Sequence, residues 1–437
     1  MAKDGFRWLP GQPPPQIASH SHAKLNLLAR YLDKYFDTVV VNPALDKISI
    51  SFVDGFSGGG RYLRLDEERP GSPFVLLEAV KSATKRLNAN RQKPLVIDAH
   101  FYFIDSSSNT LAYLEAELKA SGFGQELRDG RIQLLKGRFE SLYRELIDTI
   151  RERHRAGRSV FVLDQKGWNA VQFRTIRNIL HDLGRSEVLL TFAVDWLMTY
   201  LNESDEFRKA MTRLGIEGER LRKYVEAKGT AGYQYVIPRL LLQDMRQATG
   251  APFFTPFFLR SKSANRDLWI IHLSKIVTAR NVMVSSHWDV GNSSLHRGRA
   301  GLDMLGFDPH WEEGTAFDFG FDAHANTQIS DAITTALPYK VEEMQRRSIP
   351  TVSEFLEQIA NDTAATKAQI DTALSLLHSE KQIDILNQAG NRKRIGSRIQ
   401  ANDYLRLSEQ PMFAGFSSGS NGRARDRKGE GGIPDPS

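Results

Sequence analysis

The chain has 437 residues, 41% of them hydrophobic and 25% charged, which suits a globular protein with one large domain and a smaller one. It contains no cysteine, which excludes disulfides, cysteine-bound zinc and cysteine-held iron–sulfur clusters. The formal net charge is +6 with much of the excess near the C-terminus, so we expect any basic surface to be local. Neither a membrane-spanning apolar run nor a secretory signal is evident, which predicts a cytoplasmic protein without a membrane partner.

The first elements lead into a glycine-rich segment. Residues 1–17 are rich in proline and predict an irregular arm, and apolar residues at helical spacing predict a helix over residues 19–36. Residues 48–53 predict a buried strand that ends at the glycines. Ser72 followed by Pro73 then predicts the start of a helix that reaches about residue 87.

Short apolar runs alternate with helical patterns through the middle of the chain. The predicted strands are residues 95–104, 132–135, 160–163 and 188–192, and the helices between them are residues 110–120, 141–154 and 171–183. This alternation predicts a parallel sheet with crossover helices.

Two aromatic-rich strands close the series. Residues 253–259 and 268–273 are joined by a short polar loop and predict an antiparallel hairpin, preceded by a helical insertion at residues 195–250. Five parallel strands closed by such a hairpin form the seven-stranded, Rossmann-like α/β sheet of class I methyltransferases. We therefore predict a methyltransferase-like domain over residues 18–345, with the insertion on the substrate side.

The C-terminal part has a different pattern. Residues 352–359 predict one helix, Thr363 or Thr366 can cap a second, and residues 382–386 and 392–399 predict two strands around a turn. Two helices followed by a β-hairpin predict a winged helix–turn–helix domain over residues 346–412. Residues 413–437 are rich in glycine, serine and arginine and predict a disordered tail.

The glycine-rich segment, residues 52–62, suits a cationic ligand. Glycines let backbone amides approach a ligand closely, and an acidic strand end favours an amino group over a pyrophosphate. S-adenosylmethionine carries an ammonium and a sulfonium, whereas the dinucleotide fingerprint is missing because Arg61 and Tyr62 follow the last glycine. The alternative is a glycine-rich turn in an unrelated enzyme. The predicted cofactor-binding residues here are Asp54, Gly55, Phe56, Gly58 and Gly60.

Two later strand ends carry further candidates. Asp105 stands where class I methyltransferases place a carboxylate on the ribose; the alternative is a turn residue before the next helix. Asp164 and Trp168 stand at the position of the catalytic loop of nitrogen methyltransferases, where a carboxylate orients an amino group and an aromatic ring stacks on the acceptor. Trp168 can equally be a core residue. Because cytosine-C5 transfer needs a thiolate, the absent cysteine leaves a nitrogen or oxygen acceptor, in nucleic acid or a modified nucleotide.

At these residues the chain resembles the three-Cys-motif partner protein family, over roughly residues 18–290 and in its winged-helix tail. The matching segments are His20-Ser21-His22-Ala23-Lys24-Leu25, residues 53–62, Gly71-Ser72-Pro73, Asp105, Asp164-x-x-Gly167 and residues 268–283. The resemblance implies an S-adenosylmethionine site that Lys24 helps to close, and a companion with three clustered cysteines encoded nearby. A solvent-facing helix start is the alternative for Lys24.

One departure from that family concerns the fourth motif. The family usually has proline and an aromatic residue after the aspartate, where this chain has Gln165 and Lys166. The departure keeps open a second hypothesis, a non-catalytic adapter that binds S-adenosylmethionine or nucleic acid for its companion.

Basic residues of the predicted recognition helix and wing are candidates for binding DNA or RNA. Lysine and arginine there could meet a phosphate backbone. The alternatives are a solvated charge run and a protein-interaction module. The eleven histidines are scattered, and we predict no metal site. The predicted nucleic-acid-binding residues are Lys367, Arg392, Lys393, Arg394 and Arg398.

Overall fold

A computed structural model describes residues 6–202, 204–230, 233–261, 266–291, 295–297, 301–302, 318–320 and 323–409. The predicted tail lies outside these ranges. Within them, no helix combines the length and the apolar character that a bilayer span requires. A cytoplasmic location stays a prediction.

Thirteen strands lie in the described ranges. They are β1 Lys47–Asp54, β2 Arg61–Arg64, β3 Glu67–Pro70, β4 Val96–Asp105, β5 Ile132–Lys136, β6 Ser159–Leu163, β7 Ser186–Phe192, β8 Phe253–Ser261, β9 Arg266–Ser274, β10 Leu295–Arg297, β11 Asp318–Gly320, β12 Ile383–Leu386 and β13 Tyr404–Leu407. Nine form one sheet in the order β11-β10-β8-β9-β7-β6-β1-β4-β5. The strands from β7 to β5 in this order are parallel, and the β8–β9 hairpin pairs antiparallel with β7.

This order confirms the predicted class I methyltransferase sheet. Strands β10 and β11 extend it beyond the seven predicted strands. All residues of β6 and β7 are buried, as expected for parallel strands covered on both faces. The β2–β3 hairpin, directly after the glycines, was not predicted because its short polar strands lack an apolar alternation.

Fourteen helices accompany the strands. They are α1 Ser19–Val39, α2 Ser72–Asn88, α3 Ser108–Ala120, α4 Gly124–Arg128, α5 Phe139–Arg153, α6 Phe173–Asp182, α7 Val194–Tyr200, α8 Asp205–Leu214, α9 Glu219–Lys228, α10 Tyr233–Thr249, α11 Val277–Val290, α12 Ala323–Gln345, α13 Val352–Ile359 and α14 Lys367–Ser379. Helices α1, α2, α3 and α11 share one buried cluster with the sheet, and α5 to α10 share another. The sheet is therefore covered by helices on both faces.

The C-terminal helices begin at capping boxes. Thr351 and Thr366 each accept a hydrogen bond from a backbone amide three residues on, and Glu354 and Gln369 each accept one from the cap backbone in return. Such reciprocal bonds satisfy amide groups that a helix start leaves without partners. They set the start of α13 and α14, the two helices of the predicted helix–turn–helix.

The predicted strand over residues 392–399 is wrong. The strand that pairs with β12 is β13, and residues 392–399 form a loop with a single bridge between Leu386 and Arg392. The cause is hydrophobic patterning: Leu405 in β13 is fully buried in the domain core, whereas residues 394–398 are exposed. The wing is therefore a long loop, residues 387–403, that carries the arginines.

Buried polar contacts join the winged helix to the rest of the chain. The Arg280 guanidinium of α11 donates hydrogen bonds to the backbone carbonyls of Thr363 and Ala365. The Trp288 indole donates to the carbonyl of Ala364, at 2.8 Å. The loop between α13 and α14 is thus held by α11.

Candidate cofactor site at the strand ends

The glycine loop, residues 55–60, connects β1 to β2 and requires glycine for steric reasons. Gly58 and Gly60 have φ values of 58° and 78°, in the left-handed region. A Cβ on Gly60 would lie 2.7 Å from Leu114 Cδ1 and 2.9 Å from Phe74 Cε2. Gly60 is therefore pressed against α2 and α3.

Asp54, at the end of β1, is completely buried. Its Oδ1 accepts a hydrogen bond from the Phe56 amide at 3.2 Å, while Oδ2 has no partner of normal geometry among the described residues. Burial raises the pKa of Asp54 to about 7, against the opposing effects of Ser72 and the Phe56 amide. A buried carboxyl oxygen without a partner is costly unless a donor or a cation meets it.

Asp105, at the end of β4, is tied to the neighbouring loops. Its Oδ1 accepts a hydrogen bond from the Ser107 amide at 2.8 Å. Burial raises the pKa of Asp105, although the amides of Ser107 and Gly58 lower it. The carboxyl thus lies beside the glycine loop, where sequence reasoning expected a ribose ligand.

Asp164, at the end of β6, is paired with Lys24 of α1. The Lys24 Nζ lies 2.5 Å from Asp164 Oδ1 and 2.7 Å from Oδ2. His20 stands one turn earlier on α1, and its pKa is lowered by burial and by the Lys24 charge, with Asp164 opposing. The structure therefore joins a predicted cofactor residue to a predicted catalytic residue across 140 positions of sequence.

The pKa of Tyr62, which follows the glycine loop, is affected by the carboxyl groups of all three strand ends. Burial raises the pKa of the Tyr62 hydroxyl, and the charges of Asp164, Asp54 and Asp105 raise it further. Asp54, Asp105 and Asp164 stand at the ends of β1, β4 and β6, which are neighbours in the sheet, so their carboxyl groups lie along one edge of it. Tyr62 belongs to the segment that carries the family resemblance, but it was not predicted as a site residue.

Trp8 of the N-terminal arm was also missed. Its Nε1 donates to the Arg61 carbonyl at 2.8 Å, and its ring lies 5.4 Å from Tyr62 in an edge-to-face contact. A Cβ on Gly58 would lie 2.8 Å from Trp8 Cη2, and Gly59 is in closer contact with the indole. Glycine is therefore required at both positions by the contact with the Trp8 indole, apart from any ligand that the loop binds. A lone tryptophan in a proline-rich arm was the available signal.

The fourth-motif loop is held by its own side chains. Gln165 is 3% exposed, and its Oε1 accepts hydrogen bonds from the amides of Ala170 and Val171 at 2.8 and 3.0 Å. Trp168 is 6% exposed and packs against Phe207 of the helical insertion, with ring centroids 5.7 Å apart. Trp168 thus has the packing of a core residue, and its contact with an acceptor stays a prediction.

The predicted nucleic-acid-binding residues divide into two groups. Three of them form ion pairs within the domain, namely Lys367 with Asp371, Arg392 with Asp384, and Lys393 with Asp403. Arg394 and Arg398 are exposed on the wing and form no ion pair in the described part of the chain. Binding of nucleic acid by any of the five stays a prediction. Across the described ranges, no group of three or more metal-ligating side chains is suitably placed for an ion.

A family model described as the GMT-like wHTH domain matches residues 306–390. Solved structures with a similar fold include protein LPL1258 from Legionella pneumophila, with 10% identity over 58% of this chain and 85% of that chain and a TM-score of 0.33. The N-terminal domain of human METTL16 in complex with SAH is 10% identical over 58% of this chain and 70% of that chain, with a TM-score of 0.30. A putative rRNA-methylase from Clostridium thermocellum is 10% identical over 56% of this chain and 97% of that chain, with a TM-score of 0.25. No curated protein matches the sequence.

No argument rests on these similarities to solved structures, and the resemblance to the three-Cys-motif partner family stays a prediction. The strand order defines the main domain independently of them. The chain has a class I methyltransferase fold followed by a winged helix–turn–helix domain similar to the GMT-like type.

Proposed function

We propose that this chain is an S-adenosylmethionine-dependent methyltransferase that acts on a nitrogen or oxygen atom of nucleic acid or a modified nucleotide. The proposal includes a companion protein with clustered cysteines. Its main support is the convergence of Asp54, Asp105 and Asp164 at the carboxyl ends of three neighbouring strands. Ligands of open α/β sheets bind in the crevice outside those strand ends.

The residues at the crevice fit the cofactor. The buried Asp54 Oδ2 has no partner of normal geometry among the described residues, and Ser72 is the one side chain that hydrogen-bonds to the carboxyl there, so the ammonium group of S-adenosylmethionine would supply a further donor and the missing charge. Asp105 would accept hydrogen bonds from the ribose hydroxyls. Gly58 and Gly60 would let the loop backbone approach the cofactor closely. The Gly55 and Phe56 amides, which already donate to the Val162 carbonyl and to Asp54, would hold the loop in shape beside the cofactor. Lys24 would close the pocket beside Asp164.

S-adenosylmethionine supplies an activated methyl group when it is bound. The protein's part in such a displacement is alignment, because holding two reactants in line converts a bimolecular step into an effectively unimolecular one. Asp164 would orient the N–H or O–H of the acceptor. Lys24 would hold that carboxyl in place until the acceptor shares it.

Replacing Asp164 by asparagine should separate binding from transfer. We expect Asp164→Asn to bind the cofactor nearly as well as wild type but to transfer methyl groups on the order of a hundredfold more slowly, because acceptor orientation is lost. Radiolabelled transfer to total DNA, RNA and protein, with and without the companion, measures this. The exposed Asp148→Asn is the matched control, and equal rates in both variants would contradict the assignment.

The adapter hypothesis is favoured by one observation. Lys24 engages both oxygens of Asp164, so that carboxyl is already satisfied without an acceptor. An adapter would bind S-adenosylmethionine but transfer no methyl group to any fraction, even with the companion present. Loss of cellular function in wing variants but not in Asp164→Asn would establish it.

The wing offers a test of nucleic-acid binding. We expect Arg394→Gln/Arg398→Gln to weaken binding of duplex DNA or RNA and to reduce the slope of log affinity against log salt by roughly 1.8 for DNA, about 0.9 for each phosphate that the variant no longer neutralises. Fluorescence anisotropy at several salt concentrations gives this slope. Arg174→Gln/Arg177→Gln, two exposed arginines on α6, makes the same charge change elsewhere. An unchanged slope in the wing variant would show that Arg394 and Arg398 do not contact phosphate groups.

A further inference from the structure

A cavity of about 230 Å³ lies at the sheet edge opposite the glycine loop. It is bounded by the end of α1, the starts of β6 and β7, the end of β9 and the first turn of α11. The glycine loop follows the end of β1, which is parallel to β6, so the two places are separated by the length of the strands. The cavity is therefore distinct from the proposed cofactor site.

The charged lining of this cavity is mainly cationic. Arg158, Arg185 and Lys275 line it, and none of the three forms an ion pair in the part of the chain that the structure describes. Glu187 is the single carboxylate of the lining, which leaves a formal charge of +2 (three cations minus one anion). The Glu187 Oε2 accepts a hydrogen bond from the Tyr31 hydroxyl and lies 2.9 Å from His272 Nε2, so it is already engaged from the core side.

A buried hydroxyl completes the lining. Tyr35 is 2% exposed, and its hydroxyl has no hydrogen-bond partner of normal geometry among the described residues. Burial and the Glu187 charge raise its pKa, while the Arg158 guanidinium, through its charge and a hydrogen bond, and the Arg185 charge oppose the rise. Tyr35, Arg158 and Arg185 all line the cavity. Helix α11 also begins at this cavity, and no side chain caps it. An uncapped helix start favours an anion.

We propose that this cavity binds a phosphate group. The +2 lining matches a phosphate dianion, two guanidinium groups can each donate in parallel to phosphate oxygens, and Tyr35 supplies a neutral donor. Val39, Ile276 and Val282 form an apolar wall for the moiety that carries the phosphate.

The phosphate can belong to a mononucleotide or to a nucleic-acid strand. A second cleft of about 550 Å³ shares Thr38, Thr278 and Val282 with the cavity and continues to Lys34 and to Lys367 of the winged helix. A strand whose terminal phosphate occupied the cavity would follow this cleft toward the winged helix. Both sources present the same phosphate chemistry to the same side chains.

The test is calorimetric titration of the full-length protein with inorganic phosphate, a nucleoside 5′-monophosphate and a 5′-phosphorylated single-stranded oligonucleotide. We expect Arg158→Gln/Arg185→Gln to weaken phosphate binding on the order of tenfold or more, and Tyr35→Phe about threefold. Arg174→Gln/Arg177→Gln, with the same charge change on exposed α6, should bind as wild type does.

Tyr35→Phe removes one oxygen atom and guards against a variant that fails to fold. Absence of binding of all three ligands by the wild-type protein would overturn the proposal, and so would equal affinities in the cavity variants and the α6 control. Tighter binding of the oligonucleotide than of the mononucleotide would identify a nucleic-acid end as the source, and the reverse order would identify a free nucleotide.

Discussion

Asp54→Asn should stabilise the ligand-free protein at pH 8 and at the same time abolish binding of S-adenosylmethionine. The pKa of this completely buried carboxyl is raised from 3.8 to about 7, chiefly because burial disfavours the charged form. About three pKa units correspond to about 4 kcal/mol of unfavourable ionisation at most. Asparagine has nearly the same shape, still accepts from the Phe56 amide, and never ionises. It removes this cost and also removes the negative charge that the cofactor needs.

The sign follows from proton binding. Between about pH 4 and pH 7 the folded state retains a proton on Asp54 that the unfolded chain has released. The stabilisation that this retained proton gives to the folded wild-type protein is therefore complete below about pH 4. It decreases as the pH rises from about 4 to 7 and is lost above pH 7. In Asp54→Asn this decrease of the free energy of unfolding with rising pH should be absent. Urea unfolding at pH 5 and pH 8 measures the difference, with the exposed Asp148→Asn as control.

The same pKa predicts how cofactor binding depends on pH. Only the ionised carboxylate attracts the ammonium, and with a pKa of about 7 the ionised fraction rises about eightfold from pH 6 to pH 7.5. We expect the affinity of the wild-type protein for S-adenosylmethionine to rise by this factor in titration calorimetry. An affinity that is constant over this interval, or an Asp54→Asn variant that still binds, would show that Asp54 does not meet the ammonium.

Arg280→Met should separate the winged helix from the methyltransferase-like domain. Arg280 is 1% exposed, and its guanidinium donates to the carbonyls of Thr363 and Ala365 in the loop between α13 and α14. Methionine fills part of the space but leaves these carbonyls without their donor. Buried acceptors that lose a partner cost about 1–3 kcal/mol each, so the free energy of unfolding should fall by about 3 kcal/mol or more.

The expected signature is a loss of cooperativity as well as of stability. In Arg280→Met the winged helix should unfold in its own urea transition, and the loop of residues 360–366 should become sensitive to limited proteolysis. Arg347→Met, an exposed arginine that follows α12, should show neither effect. A single transition at the wild-type urea concentration would mean that Arg280 does not hold the domains together.

Several features followed directly from local patterns. Continuous apolar runs predicted β6 and β7, because parallel strands buried on both faces need no alternation. Asp54, Asp105 and Asp164 were predicted as cofactor and acceptor residues at three strand ends, and the order β6-β1-β4 places those ends at one edge, because parallel neighbours present their carboxyl ends on the same side. The pattern failed at the wing, where a basic segment with two isoleucines was taken for a strand, but Ile395 is exposed and β13 pairs with β12 instead.

Residues 52–62 therefore carried enough information in their glycines and in Asp54 to predict a loop at the end of a buried strand, and the binding of a ligand by that loop stays a prediction. Local sequence could not show that Lys24 lies on Asp164, that Trp8 packs on Gly58, or that Arg280 reaches across to the winged helix. Each of these contacts joins residues 50 or more positions apart. Only the packing of the helices and the N-terminal arm around the sheet brings such residues together, because periodicity and capping report a residue's near neighbours along the chain.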